Sequence, residues 1–207
     1  MPTKEKILES ALELFSVHGY EDTSVAEIAA AVGIKAPSLY KHYRNKEEIF
    51  SAILQKIDEQ YRNQAALLQL NGVQPEQDAA RYQGITPDDL FSMVQQLFFF
   101  FLRDPYASRC RRMLVLEQYK NPRAAQLCKA QYFEGPLAYH RELFRQLIQA
   151  GSFRKEDPEV LALQFYAPIF LLLQLCDTAP QEIPAAERML KSHVFTFHRV
   201  HKGEEES

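Results

Sequence analysis

The sequence predicts an all-helical protein, with a small N-terminal three-helix domain followed by a larger helical C-terminal domain. Three observations carry that reading. Apolar residues recur every three to four positions along most of the chain. The seven glycines and eleven prolines are sparse for 207 residues, and most fall at the ends of the periodic stretches, where they cap helices or start them. No segment sustains an alternation of apolar and polar residues, the mark of a half-buried strand.

Ile7, Leu8, Ala11, Leu12 and Phe15 form one face of a first helix over 3–17, and Gly19 ends it. Ser24 and Glu27 stand at capping-box spacing ahead of a second helix, 24–32, whose apolar face is Val25, Ile28, Ala29 and Val32. Gly33 supplies a turn that needs positive φ. Pro37 suits the first position of a short third helix ending near 43. Asn45, with Glu48 three residues on, caps a fourth helix over 46–69 that carries Ile49, Phe50, Ile53, Leu54, Ile57 and Tyr61. Between 70 and 86 the pattern lapses, and Gly72, Pro75 and Gly84 mark a loop with no more than one helical turn. Helices are expected over 87–103, 106–120, 122–150, 157–177 and 184–202. Gly135-Pro136 should break or kink the third of these and Pro168 should kink the fourth. The domains are therefore drawn at 1–48 and 49–202, linked by the fourth helix, with 203–207 a disordered acidic tail.

Composition narrows the function classes. Apolar residues make up 46% of the chain, enough for a core that needs no disulfide or metal. The three cysteines, Cys110, Cys128 and Cys176, are odd in number and form no CxxC pair, which argues against a disulfide framework or a zinc knuckle and for buried thiols in a reducing cytoplasm. The N-terminus has no apolar signal region. The longest apolar stretch, 167–175, is far short of the roughly 20 residues of a membrane span, so a soluble cytoplasmic protein is expected. No nucleophile elbow, P-loop, HExxH or dinucleotide fingerprint occurs, so neither an enzyme nor a cofactor is expected. His193, His198 and His201 lack a tetrahedral set with acids or thiols, so no metal is expected.

The informative segment is 23–48. Two short helices joined through Gly33, the second opening at Pro37, have the plan of a helix-turn-helix. Small Ala29 allows the two to cross closely, while Leu39 and Tyr43 anchor the second and leave its other face free for a DNA major groove. The net charge of −3 is not that of a generally basic nucleic-acid binder. Charge is local instead: Lys35, Lys41, Arg44 and Lys46 fall within twelve residues with His42 among them and no acid between.

Here the sequence resembles the tetracycline-repressor (TetR) family. The matching residues are Gly19-Tyr20, Thr23-Ser24, Ile28-Ala29, Val32-Gly33, Ser38-Leu39-Tyr40, His42-Tyr43 and Asn45-Lys46-Glu47, within about the first 60 residues. The resemblance implies phosphate contacts from Thr23, Tyr40, His42 and Lys46, the last at a helix N-terminus that already attracts anions. Ser24 falls beside Thr23 in the same set. Lys35, Ala36, Pro37, Ser38 and Lys41 occupy the positions that read bases. A lysine can donate to guanine, and Ala and Pro can touch a thymine methyl. Lys35 departs from the Ser or Thr that many members carry, so an operator sequence does not transfer.

The resemblance also implies a C-terminal domain that dimerises and senses a small ligand. Its aromatic content suits an apolar pocket, with Phe98, Phe101, Met113, Glu117, Tyr139, His140 and Phe165 as candidate lining. Glu117 lies on an apolar stripe with Cys110, Met113 and Leu114. It should pair internally with an arginine such as Arg103 or Arg109, or meet a ligand's cationic group. The last two helices look like the family's dimerisation pair, with Phe165, Ile169, Leu172, Leu173, Cys176 and Phe195 at the interface. The expected partners are thus a nearly palindromic double-stranded DNA operator, a small apolar or aromatic effector and a second copy, with repression relieved by ligand-driven release. The alternative is a DNA-binding protein of the same fold that acts through protein partners without a ligand.

Overall fold

The computed structural model describes residues 2–203. Of the acidic tail, 204–207 lie outside the described residues. Eleven α-helices are described, together with one π-helical and one 3-10 turn. The only β pairing among the described residues is an isolated bridge between Phe153 and Lys202.

The chain divides into two compact units. Among the described residues, the first comprises 2–60 and 104–128, the second 61–103 and 129–203. This partition differs from the line drawn at residue 48. The fourth helix, α4 (Lys46–Leu67), contributes to both units, and a later segment returns to complete the first.

The first unit holds α1 (Thr3–His18), α2 (Val25–Val32), α3 (Ala36–Leu39), the start of α4, α7 (Pro105–Glu117) and α8 (Pro122–Lys129) up to Cys128. The predicted stripe of α1, from Ile7 to Phe15, is fully inward. It packs on α2 and along α7. An aromatic cluster closes the far end, with Tyr20 4.9 Å from Phe50 and 5.1 Å from Phe15 between ring centroids. Asp104 caps α7 by accepting from Tyr106 and Ala107 N–H.

The second unit holds the rest of α4, α5 (Pro75–Tyr82), α6 (Pro87–Arg103), α9 (Gly135–Gln149), α10 (Pro158–Thr178) and α11 (Ile183–His201). Leu90, Met93, Leu143, Phe144, Leu147, Leu161, Phe165 and Phe197 share one buried cluster, and Phe98, Leu172, Leu173, Cys176 and Leu190 a second. Two sequence expectations are revised. The stretch 70–86 contains a full two-turn helix, α5, because Pro75 starts it and buried Asp78 organises the loop before it. The carboxylate of Asp78 accepts from the N–H groups of Asn71 and Gly72 and from the Tyr139 hydroxyl at 2.6 Å. The helix expected over 122–150 is interrupted by a π-helical turn, Ala130–Glu134. Pro136 has no N–H for the carbonyl four residues back, and the Tyr166 hydroxyl donates to that carbonyl, Tyr132, at 2.9 Å. A Cβ at Gly135 would lie 2.7 Å from the Ala130 carbonyl oxygen, so the turn requires glycine there.

Replacing Asp78 by alanine removes three hydrogen bonds to a buried carboxylate. It is expected to lower unfolding free energy by about 3 kcal/mol, read as a lowered urea midpoint.

Candidate functional site

The helix-turn-helix is built as its sequence dictates. Ser24 accepts from the Glu27 N–H and donates back to the Glu27 carboxylate, a complete capping box. The same hydrogen bonds hold the Glu27 carboxyl below its usual range. Gly33 closes α2 in the left-handed region at φ +78, and the Ile34 N–H returns to Ala29. The regular helix of α3 ends at Leu39, short of the expected residue 43. Turn hydrogen bonds carry the chain on, from Lys41 to Ser38 and from His42 and Tyr43 to Leu39. Leu39 and Tyr43 are buried.

The opposite face is open. Lys35, Pro37, Lys41, His42 and Arg44 are exposed, Tyr40 is 52% exposed, and Ala36 and Ser38 are half-buried. Ser24 is exposed at the start of α2. Thus Lys35, Ala36, Pro37, Ser38, Tyr40, Lys41 and His42 share one solvent-facing segment, with no acidic residue within it.

Two expected phosphate contacts are corrected. Thr23 is 2% exposed, and its hydroxyl donates to the Gly19 carbonyl at 2.8 Å. Lys46 directs its ammonium at three carbonyls, Tyr20 at 2.7 Å, Thr23 at 3.0 Å and Glu21 at 3.1 Å, and lies over the Tyr20 ring. An ammonium has three donors, so all are taken. Both residues shape the turn ahead of α2 rather than reach outward. Tyr20 in turn donates to Glu47 at 2.8 Å. Burial and the neighbouring Glu47 carboxylate push its hydroxyl well above the ordinary tyrosine range.

Residues 7–53 match the family model described as bacterial regulatory proteins, tetR family. Residues 7–53 thus carry the N-terminal domain of that family. Over 53 residues it is 45% identical to the transcriptional repressor ComR of Escherichia coli, covering 26% of this chain and 25% of ComR. Over 113 residues it is 30% identical to the regulator AcrR of Shigella flexneri, covering 55% of this chain and 46% of AcrR. The match therefore spans a quarter to a half of these relatives. Among solved structures, the triclosan complex of SmeT, a repressor of a Stenotrophomonas maltophilia multidrug efflux pump, superposes with TM-score 0.72 at 18% identity, covering 99% of this chain and 93% of that one. At that identity the likeness establishes the TetR fold.

Outside the helix-turn-helix, the structure separates residues that the sequence grouped together. Met113 and Glu117 belong to the first unit, whereas Phe98, Phe101, Tyr139, His140 and Phe165 belong to the second. The seven expected to line one pocket are therefore divided. The stripe on α7 is covered by α1, which periodicity could not name. Glu117, 6% exposed, has no arginine partner among the described residues. One oxygen presses where a Gly19 Cβ would be, and the other has no hydrogen-bond partner. Arg103 instead lies over the Phe99 ring. In the second unit, Tyr139, His140 and Phe165 do meet, in an aromatic cluster with Phe144 and Tyr166.

The expected dimer residues are also revised. Phe165, Leu172, Leu173 and Cys176 face the interior of their own unit, and Ile169 and Phe195 are half-buried. The helix is apolar on all sides, so its pattern did not select the outer face. That face is Val160, Leu163, Ala167, Leu171 and Leu175, with Met189 and Val200 of α11 also exposed. A groove of about 540 Å³ runs between the two helices. By length and composition α10 is apolar enough to cross a membrane, and 39% of that window is buried. Missed altogether were Asn121 and Arg123. Asn121 donates to Glu21 at 2.8 Å, and Arg123 pairs with Glu47 and donates to Ser51. Their long sequence separation left no local signal.

Lys46→Met should lower the thermal unfolding free energy by about 2 kcal/mol through loss of the carbonyl clamp. Calorimetry would show it as a drop in Tm.

Proposed function

We propose that this chain is a cytoplasmic DNA-binding transcriptional regulator, a repressor that leaves a palindromic operator when a small apolar or aromatic ligand binds its second unit. The observation that carries this is the exposed, acid-free segment 35–44 on a helix-turn-helix whose opposite face is buried. Lys35, Ala36, Pro37, Ser38 and Lys41 are the candidate base readers. Tyr40 and His42 are the candidate phosphate contacts, while Ser24, expected beside them, gives both its donors to Glu27. Thr23 and Lys46 hold the turn that presents them.

The second partner is another copy of the chain. An exposed apolar stripe on α10, beside Met189 and Val200 of α11, is what two subunits need to close a four-helix bundle about a two-fold axis. Such a dimer sets two reading heads about one DNA turn apart and so calls for a palindromic site. Ligand response is supported by the triclosan complex of the structurally similar SmeT, and by the aromatic cluster of Tyr139, His140 and Phe165 with Phe144 and Tyr166. Ligand binding then favours a state whose heads are wrongly spaced, with α4, which contributes to both units, as the lever.

DNA selected from a random pool by the purified protein tests the reading. If each subunit neutralises about four phosphates, log affinity should fall against log salt with a slope near −7. Binding that ignores salt would reject the assignment. Lys41→Ala should weaken binding and change base preference at one position per half-site, read by sequencing the selected pools. Leu171→Glu should convert the dimer to a folded monomer in sedimentation velocity; a persisting dimer would place the interface elsewhere.

A further inference from the structure

His140 lies on α9 just after the π-helical turn, among aromatic rings. Ring centroids stand 5.2 Å away for Phe165, 5.3 Å for Tyr139, 5.8 Å for Tyr166 and 6.3 Å for Phe144. Nδ1 is 2.7 Å from the Pro136 carbonyl oxygen, which can only accept, so Nδ1 carries the hydrogen. Burial among the rings disfavours the charged imidazole and pushes its pKa down to about 4. At neutral pH the remaining nitrogen, Nε2, is therefore a lone-pair acceptor. It has no hydrogen-bond partner among the described residues.

The neighbouring polar groups are already engaged. The Tyr139 hydroxyl donates to Asp78, the Tyr166 hydroxyl to the Tyr132 carbonyl, and His193 bonds the Phe165 carbonyl at 2.9 Å. The surround thus offers aromatic faces and one acceptor. It sits beside a π-helical turn, a distortion that recurs at functional sites.

We propose that His140 is the polar anchor of the effector site, and that the effector class is a neutral aromatic molecule carrying a hydroxyl group. Its O–H donates to Nε2, and its ring lies against Phe165, Tyr166 and Phe144. A carboxylate has no proton to give and would set its lone pairs against that of Nε2. A cation meets the same desolvation that keeps the imidazole uncharged, and the nearby carboxylate, Asp78, is already filled by three donors. This inference rests on the reading of the chain as a ligand-responsive regulator.

The test is calorimetric titration of the full-length protein with 2-naphthol, naphthalene, 2-naphthoate and 2-naphthylmethylammonium. The naphthol should bind about tenfold more tightly than naphthalene, the worth of one hydrogen bond, and the two ions should bind more weakly still. His140→Phe should erase the advantage of naphthol over naphthalene, while His140→Gln, which keeps an acceptor, should retain it. In the unaltered protein, naphthol should move the His140 Nε2 resonance in a nitrogen-15 spectrum, a readout that needs no variant to fold. Equal binding of naphthol and naphthalene, preference for either ion, no binding of any of the four, or an unmoved resonance overturns the assignment. A parallel DNA-release screen separates the two levels. If selected DNA is released by other compounds but not by naphthol, only the His140 assignment fails. If no compound releases it, the ligand-responsive reading fails as well.

Discussion

One ammonium group holds the helix-turn-helix in shape. Lys46, in the first turn of α4, bonds three carbonyls of the turn between α1 and α2 and lies over the Tyr20 ring. The same turn is also restrained by Gly19 at φ +91, the Thr23 hydroxyl on the Gly19 carbonyl, the Ser24 capping box, and Tyr20, which bonds Glu47 and packs on Phe15 and Phe50. With the turn fixed, α2 starts in one place, Gly33 ends it in one place, and the segment after Pro37 is aimed outward. The basic surface is thus a consequence of buried polar contacts behind it.

Those contacts extend beyond the first sixty residues. Residues 104–128 fold with the N-terminal helices as one unit. Asn121 reaches Glu21, Arg123 reaches Glu47 and Ser51, and Glu117 presses on Gly19. An uncompensated carboxylate inside a protein is costly, and Glu117 is held there by the packing of α7 along α1. The helix-turn-helix unit is consequently a composite of early and late sequence.

The second unit shows how one helix can serve two surfaces. Inward, α10 buries Leu161, Phe165, Leu172 and Leu173. Outward, it exposes a row from Val160 to Leu175, with Leu171 66% exposed. An apolar row left exposed after the helix's own core is complete is the feature on which the proposed dimer rests. The aromatic cluster around His140 depends on a different device, the π-helical turn that Gly135 and Pro136 impose, which sets the direction in which α9 presents its side chains.

The sequence alone determined what local physics controls. The capping box at Ser24, the positive φ at Gly33, the start at Pro37 and the stripe from Ile7 to Phe15 are written in neighbours three or four residues apart, so the helix-turn-helix and its basic, acid-free face were legible. Only the tertiary structure decided which partner covers an apolar face. Helix α10 is apolar all round, so its inner and outer faces were indistinguishable until α6, α9 and α11 packed against it. Thr23 and Lys46 looked like outward contacts until the turn closed over them. Glu117 and His140 looked alike, as polar residues among apolar ones, until one was pressed against Gly19 in the first unit and the other walled by rings in the second. Long-range packing makes those distinctions, and it has no signature within a single helical turn.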